Sequence, residues 1–141
     1  MLLAALALVS VTPATLVPAL AQAKPGDTLQ LQGAFDRVTV RGRQGLRIDA
    51  RGATVTTLEI FSLQAWRSVF VRDSTGVRVE GMTITGAMTG VLVMNSRGTQ
   101  LVNNLIHRIR SDCIQLAGAP GTLVEGNACR DSLPNPAIYD G

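Results

Sequence analysis

The chain has 141 residues, 46% apolar and 16% charged, and its 13 basic and 10 acidic side chains leave a formal net charge of +3. That is enough for one domain and excludes a disordered or collagen-like polypeptide. One His and two Cys cannot close a four-ligand zinc site, and aromatics at 4% are too few for a base-stacking platform.

The scattered arginines also argue against nucleic acid as a partner, and no GxxxxGK[ST] stretch exists for a Walker-type nucleotide site. A mildly basic surface suits an acidic ligand, a uronic-acid polysaccharide among them.

Residues 1–23 carry no charged side chain. An apolar run from Leu2 to Val9 leads to Ala21-Gln22-Ala23, the small-x-small pattern of a signal-peptidase site. Pro13 and Pro18 break the stretch, which argues against a spanning helix. No Lys or Arg precedes the run, so the usual basic leader segment is missing. The pattern predicts a signal peptide over 1–23 and a mature body over 24–141. The protein is then secreted or periplasmic, a monomer, off the membrane after cleavage, and in a compartment where cysteines can bridge.

After Lys24 the periodicity is that of strands. Short alternating segments recur, such as Val38-Thr39-Val40, Leu46-Arg47-Ile48, Val69-Phe70-Val71 and Val77-Arg78-Val79, separated by Gly, Asn, Asp and Ser. Three ladders share a period of about 22 residues. One runs through Leu46/Ile48, Val69/Val71, Val91/Val93 and Ile114/Leu116. A second runs through Leu58/Ile60, Met82/Ile84, Asn104/Ile106 and Asn127/Cys129, and a third through Val55, Val79, Leu101 and Val124.

Three short strands per repeat, stacked in register, predict an all-β, right-handed parallel β-helix of about five rungs. Asn104 and Asn127, one period apart, predict a short asparagine ladder at a corner, with Met82 in the same column. The chain stops within a repeat, at Ile138-Tyr139-Asp140-Gly141, which predicts an N-terminal fragment of a longer helix.

Lys24-Pro25-Gly26-Asp27-Thr28-Leu29, followed by Leu31-Gln32-Gly33-Ala34-Phe35, resembles the entry of the secreted pectate-lyase-like β-helix superfamily. Gly76–Ile84 and Gly121–Asn127 resemble its generic rung. The resemblance covers the mature chain and implies the fold more than any one activity, since lyases, hydrolases, epimerases and adhesins share it. Asp112-Cys113-Ile114 with Cys129 is also similar to a stretch of polygalacturonases, which implies a Cys113–Cys129 disulfide. In the ladders, however, Cys129 is inward while Cys113 opens a strand, a placement that points the two side chains apart. Ser111 stands where that family has an acid, and Ala87-Met88-Thr89-Gly90 where it has another Asp. No His-Gly follows Cys129 and no Arg-x-Lys is present.

The densest polar cluster is Ile106–Asp112. With Ile106 and Ile109 inward, His107, Arg108, Arg110 and Asp112 form the candidate catalytic group. An Arg would neutralise a sugar carboxylate, and Arg or His would take the C5 proton in β-elimination or epimerisation. The same residues equally suit an ordinary solvent face. Trp66 and Asp140 are candidate substrate contacts. If 133–137 is a loop insertion, Asp140 stacks one rung after Asp112, where a carboxylate pair could take Ca²⁺ as cofactor. The rival functions are a non-catalytic structural or adhesive module and an inert fragment of a longer enzyme.

Overall fold

The computed structural model describes residues 6–56 and 67–131. Strand β1 (Leu8–Val11) and helix α1 (Leu16–Gln22) lead into β2 (Thr28–Phe35), β3 (Val38–Arg41) and β4 (Arg47–Thr56). The chain continues through β5 (Arg67–Arg72), β6 (Arg78–Glu80), β7 (Thr83–Thr85), β8 (Thr89–Met94) and β9 (Gln100–Val102). Strands β10 (Leu105–His107), β11 (Ile114–Ala117), β12 (Leu123–Glu125) and β13 (Ala128–Arg130) follow.

All strand pairs are parallel, and from β3 and β4 onward they fall into three stacks: β4–β6–β9–β12, β4–β7–β10–β13 and β3–β5–β8–β11. The long β4 belongs to two stacks and is preceded by β2, which pairs with both of its halves and with β1. Consecutive turns of one chain thus pair with each other, which is a parallel β-helix of about five turns.

The interior follows from period-two alternation on each strand. Ile48, Val79, Leu101 and Val124 form one inward column, and Val55, Ile84, Ile106 and Cys129 a second. Val38/Val40, Val69/Val71, Val91/Val93 and Ile114/Leu116 form the third. The later members are those predicted, but the first rung is corrected. Val38/Val40, not Leu46/Ile48, precede Val69/Val71 in the third column, and Ile48, not Val55, precedes Val79 in the first, with Leu29 one turn before it. Arg43 and Ser74, bonded across this step, are 31 residues apart, whereas Ser74 and Ser96 are 22 apart. Extra chain at one corner broke the period that the ladders had extended backwards. Leu58 and Ile60 lie outside the described residues.

Corners are built on left-handed backbone. Gly45, Gly76, Gly98 and Gly121 share φ of 60–69° and stack, each of the first three donating its N–H one turn on, at 2.8–3.0 Å. A Cβ on Gly76 would meet the Gly45 backbone N at 3.7 Å, so here conformation and not space demands glycine. Asp73 and Asn95 are also left-handed, and Asn95 Nδ2 donates to Asp73 Oδ1 at 2.7 Å.

At the next corner the asparagine ladder is present. Asn104 Oδ1 accepts from Met82 N at 2.9 Å, and Asn104 Nδ2 donates to Val79 O and to Asn127 Oδ1. Asn127 Nδ2 donates to Leu101 O at 2.8 Å.

Residues 8–22, within the leader-like segment, pack on the first turn. Strand β1 pairs with β2 from Leu8↔Thr28 to Val11↔Leu31. Val11 and Leu16 are buried, and Leu20 and Ala23 pack against the same core. The Asp27 carboxylate ties the segment down, accepting from Ala7 N at 3.1 Å and Lys24 N at 2.8 Å. Among the described residues no helix is long and apolar enough to cross a membrane.

One outer face is a network of ion pairs. Arg47 and Arg78 both bond Glu80, and Arg51 bonds Asp49 at 2.6 Å. The Arg47 guanidinium holds the Glu80 carboxyl below its ordinary value, the Arg51 guanidinium does the same for Asp49, and the backbone N–H groups of Lys24 and Ala7 do so for Asp27. All three carboxyls are more acidic folded than unfolded. Their stabilisation is therefore complete above the ordinary carboxylate range and lost as pH falls through the lowered values. Urea titrations should give a constant midpoint from neutral pH to about pH 5, then a decline below about pH 4. Glu80→Gln should shrink that decline, and an unchanged acid limb would show that the network does not contribute.

Candidate functional site

The predicted cluster sits on one corner of the last described turns. His107 ends β10, half-buried, in the outward column Thr56–Thr85–His107–Arg130. Arg108 follows with φ 56°, exposed, in a left-handed column between Gly86 (φ 91°) and Asp131 (φ 51°). Its N–H donates to Arg130 O at 3.2 Å, and its carbonyl accepts from Gly86 N at 3.3 Å. The left-handed region is uncommon for an Arg and costs roughly 1–2 kcal/mol relative to ordinary backbone. The sequence places a cation where neighbouring turns use Gly and Asp.

Ile109 turns inward and is 1% exposed. Arg110 is half-buried, and its N–H donates to Ala87 O at 3.1 Å. Ser111 N donates to Met88 O, and Asp112 is exposed, its carboxylate 3.5 Å from Ser111 Oγ. His107 and Asp112 thus stand at opposite ends of the corner, one on the β10 stack and one at the approach to β11.

Arg130 is the residue that sequence reasoning missed. It lies 23 residues after His107, the spacing of Asn104 and Asn127, and that period could have found it. Neither Arg108 nor Arg130 makes an ion pair with another described residue. Stacked strands are about 4.8 Å apart, so His107 and Arg130 present a two-step ladder of basic groups, flanked by Arg108. Such an arrangement can bind repeating negative charge along the stacking axis.

Cys113 and Cys129 are joined as a disulfide, with Cα atoms 6.1 Å apart. This is the bridge that the resemblance implies, and the ladder placement does not keep the two side chains apart. Cys129 belongs to the inward column, and Cys113, before β11, packs against the core from the adjoining corner. The bridge fastens the corner that carries Arg108–Asp112 to the following turn.

Trp66 and Asp140 lie outside the described residues, as does any stacking of Asp140 on Asp112. Among the described residues no three His, Cys, Asp or Glu side chains gather into a group that could hold a metal ion.

Stacked parallel turns with an apolar interior, corner ladders and an outward basic column define a β-solenoid presenting a long outer face. The family model described as "right handed beta helix region" matches residues 44–138, and the chain belongs to that family. No curated protein and no solved structure matches the chain.

Proposed function

We propose that this is an exported β-helix protein that binds an acidic polysaccharide along the corner carrying His107, Arg108 and Arg130. The observation that carries this reading is the stacking of His107 and Arg130 on successive turns, with Arg108 beside His107 in left-handed backbone and neither Arg ion-paired to a described residue. A linear polyanion laid along the stacking axis would meet one cationic group per turn. The Cys113–Cys129 disulfide supports export. Binding is better supported than turnover, because His107 and Asp112, the imidazole and the acid of the predicted cluster, stand at opposite ends of the corner. Lyase- or epimerase-type chemistry would require His107 or an Arg to take the C5 proton.

Arg108→Gly separates charge from fold. It removes the cation and relaxes the backbone, so stability should hold or rise by up to about 1 kcal/mol. With Arg130→Ser added, affinity for pectate or alginate should fall at least about tenfold, and wild-type binding should weaken with salt. A neutral glucan should bind neither protein. The measurements are affinity electrophoresis and calorimetry, with unsaturated uronate release as the readout for lyase action. Equal affinity of wild type and double variant for the acidic polymers would discard this site.

A further inference from the structure

On a different face, at the start of β5, a half-buried arginine lies over an aromatic ring at the edge of a cleft. Arg67 opens that strand beside Thr89 of β8, and Phe70, Leu92 and Gln115 form one outward column across β5, β8 and β11. On a solvated outer face these apolar groups should be exposed. Instead Phe70 is 9% and Leu92 6% exposed. The Arg67 guanidinium lies over the Phe70 ring, its Cζ 4.1 Å from the centroid. Arg67, Thr89, Leu92 and Gln115 line a cleft of about 230 Å³.

The electrostatics of this cleft are unbalanced. Arg67 is half-buried and makes no ion pair with a described residue. Burial, and then the charge of Arg72, push its pKa below the ordinary guanidinium value. A partly desolvated cation gains most from an anion that approaches through the same opening. The ring of Phe70 compensates on one side only.

From this arrangement we infer that the Arg67 cleft is a binding site for a single carboxylate-bearing sugar ring. Arg67 offers a planar fork that matches a carboxylate in two-point geometry. Gln115 and Thr89 supply an amide and a hydroxyl for ring hydroxyls, and Leu92 gives an apolar wall for the C–H face. The volume is below the ~300–1,000 Å³ of sites that enclose drug-sized ligands, which limits the occupant to about one ring. Gly90 N donates to Asp112 O at 2.9 Å, so the backbone leading from the basic corner runs beside this cleft. The inference extends the acidic-glycan reading to a second subsite, but it rests on different residues and can stand or fall alone.

The test is NMR titration of the full chain with glucuronate, glucose 6-sulfate and glucose. Glucuronate should shift the amides of Thr89, Leu92 and Gln115 with millimolar saturation, and glucose should not. Comparable shifts with the sulfate would widen the site to oxyanions generally and overturn the carboxylate assignment. Arg67→Gln should weaken glucuronate binding at least tenfold. If that variant fails to fold, Arg67→Lys, which keeps charge but loses the fork, and Gln115→Ala carry the comparison, each with a several-fold loss. Shifts of the Thr89, Leu92 and Gln115 amides report this cleft and shifts of the His107 and Arg130 amides the basic corner, so separate resonances in one titration distinguish the two proposals. No saturation by glucuronate, or equal binding by wild type and the Arg67 variants, would overturn the inference.

Discussion

Asn104→Ala should be among the most damaging single substitutions in the described turns, lowering stability by about 3 kcal/mol. Asn104 is 2% exposed and serves three partners at once. Truncation leaves the Met82 N–H and the Val79 carbonyl inside the solenoid without their amide, and each lost partner costs about 1–3 kcal/mol. Asn127→Ala should cost less, because Asn127 is half-buried on the last described turn and water can replace part of its bonding. Guanidinium unfolding of the two variants checks the order. Equal losses, or a loss below about 1 kcal/mol for Asn104→Ala, would mean that the ladder decorates the corner and does not hold it.

A chain beginning at Lys24 should be less stable by several kcal/mol and should self-associate. Val11 and Leu16 bury essentially whole side chains, each worth about 1.5–3 kcal/mol. Their removal uncovers Leu29 and Leu31 and strips β2 of the partner that fills its backbone bonds from Thr28 to Leu31. An unpaired parallel edge over an apolar interior is a template for another chain. Light scattering and thermal unfolding of the 24–141 protein against the full chain measure both effects. A monomeric 24–141 protein with an unchanged midpoint would show that β1 and α1 rest on the solenoid without stabilising it.

Much of the architecture was readable where chemistry repeats strictly. From Val69 to Cys129 the inward Val, Ile and Leu recur every 22 or 23 residues, and the asparagine ladder followed from two residues alone. The first turn was misassigned because an interval of 31 hides inside a similar alternation: Leu46/Ile48 and Val38/Val40 look alike, and only pairing with Val69 tells them apart. The left-handed corners were not legible as columns, since Gly, Asp, Asn and Arg share one conformation without sharing chemistry.

The basic corner was found as a cluster along the chain, but not as a stack. Arg130 joins it through space, one turn beyond His107. The Arg67 cleft was invisible because Val69-Phe70-Val71 reads as inward–outward–inward, and sequence does not report that the outward Phe70 is covered.

The corner between β4 and β5 separates chain length from register. Strand β7 passes to β8 through residues 86–88, β10 to β11 through 108–113, and β4 to β5 through 57–66, yet the columns on either side continue unbroken. Alignment is enforced by bonds between turns, and so the length of a corner is free to drift. Each doubling of a flexible loop costs only about 0.6 kcal/mol in closure entropy. Divergence in such a lineage can therefore concentrate in insertions at this point without repacking one core residue. A peptide grafted between Thr56 and Arg67 should therefore leave the columns on either side in register.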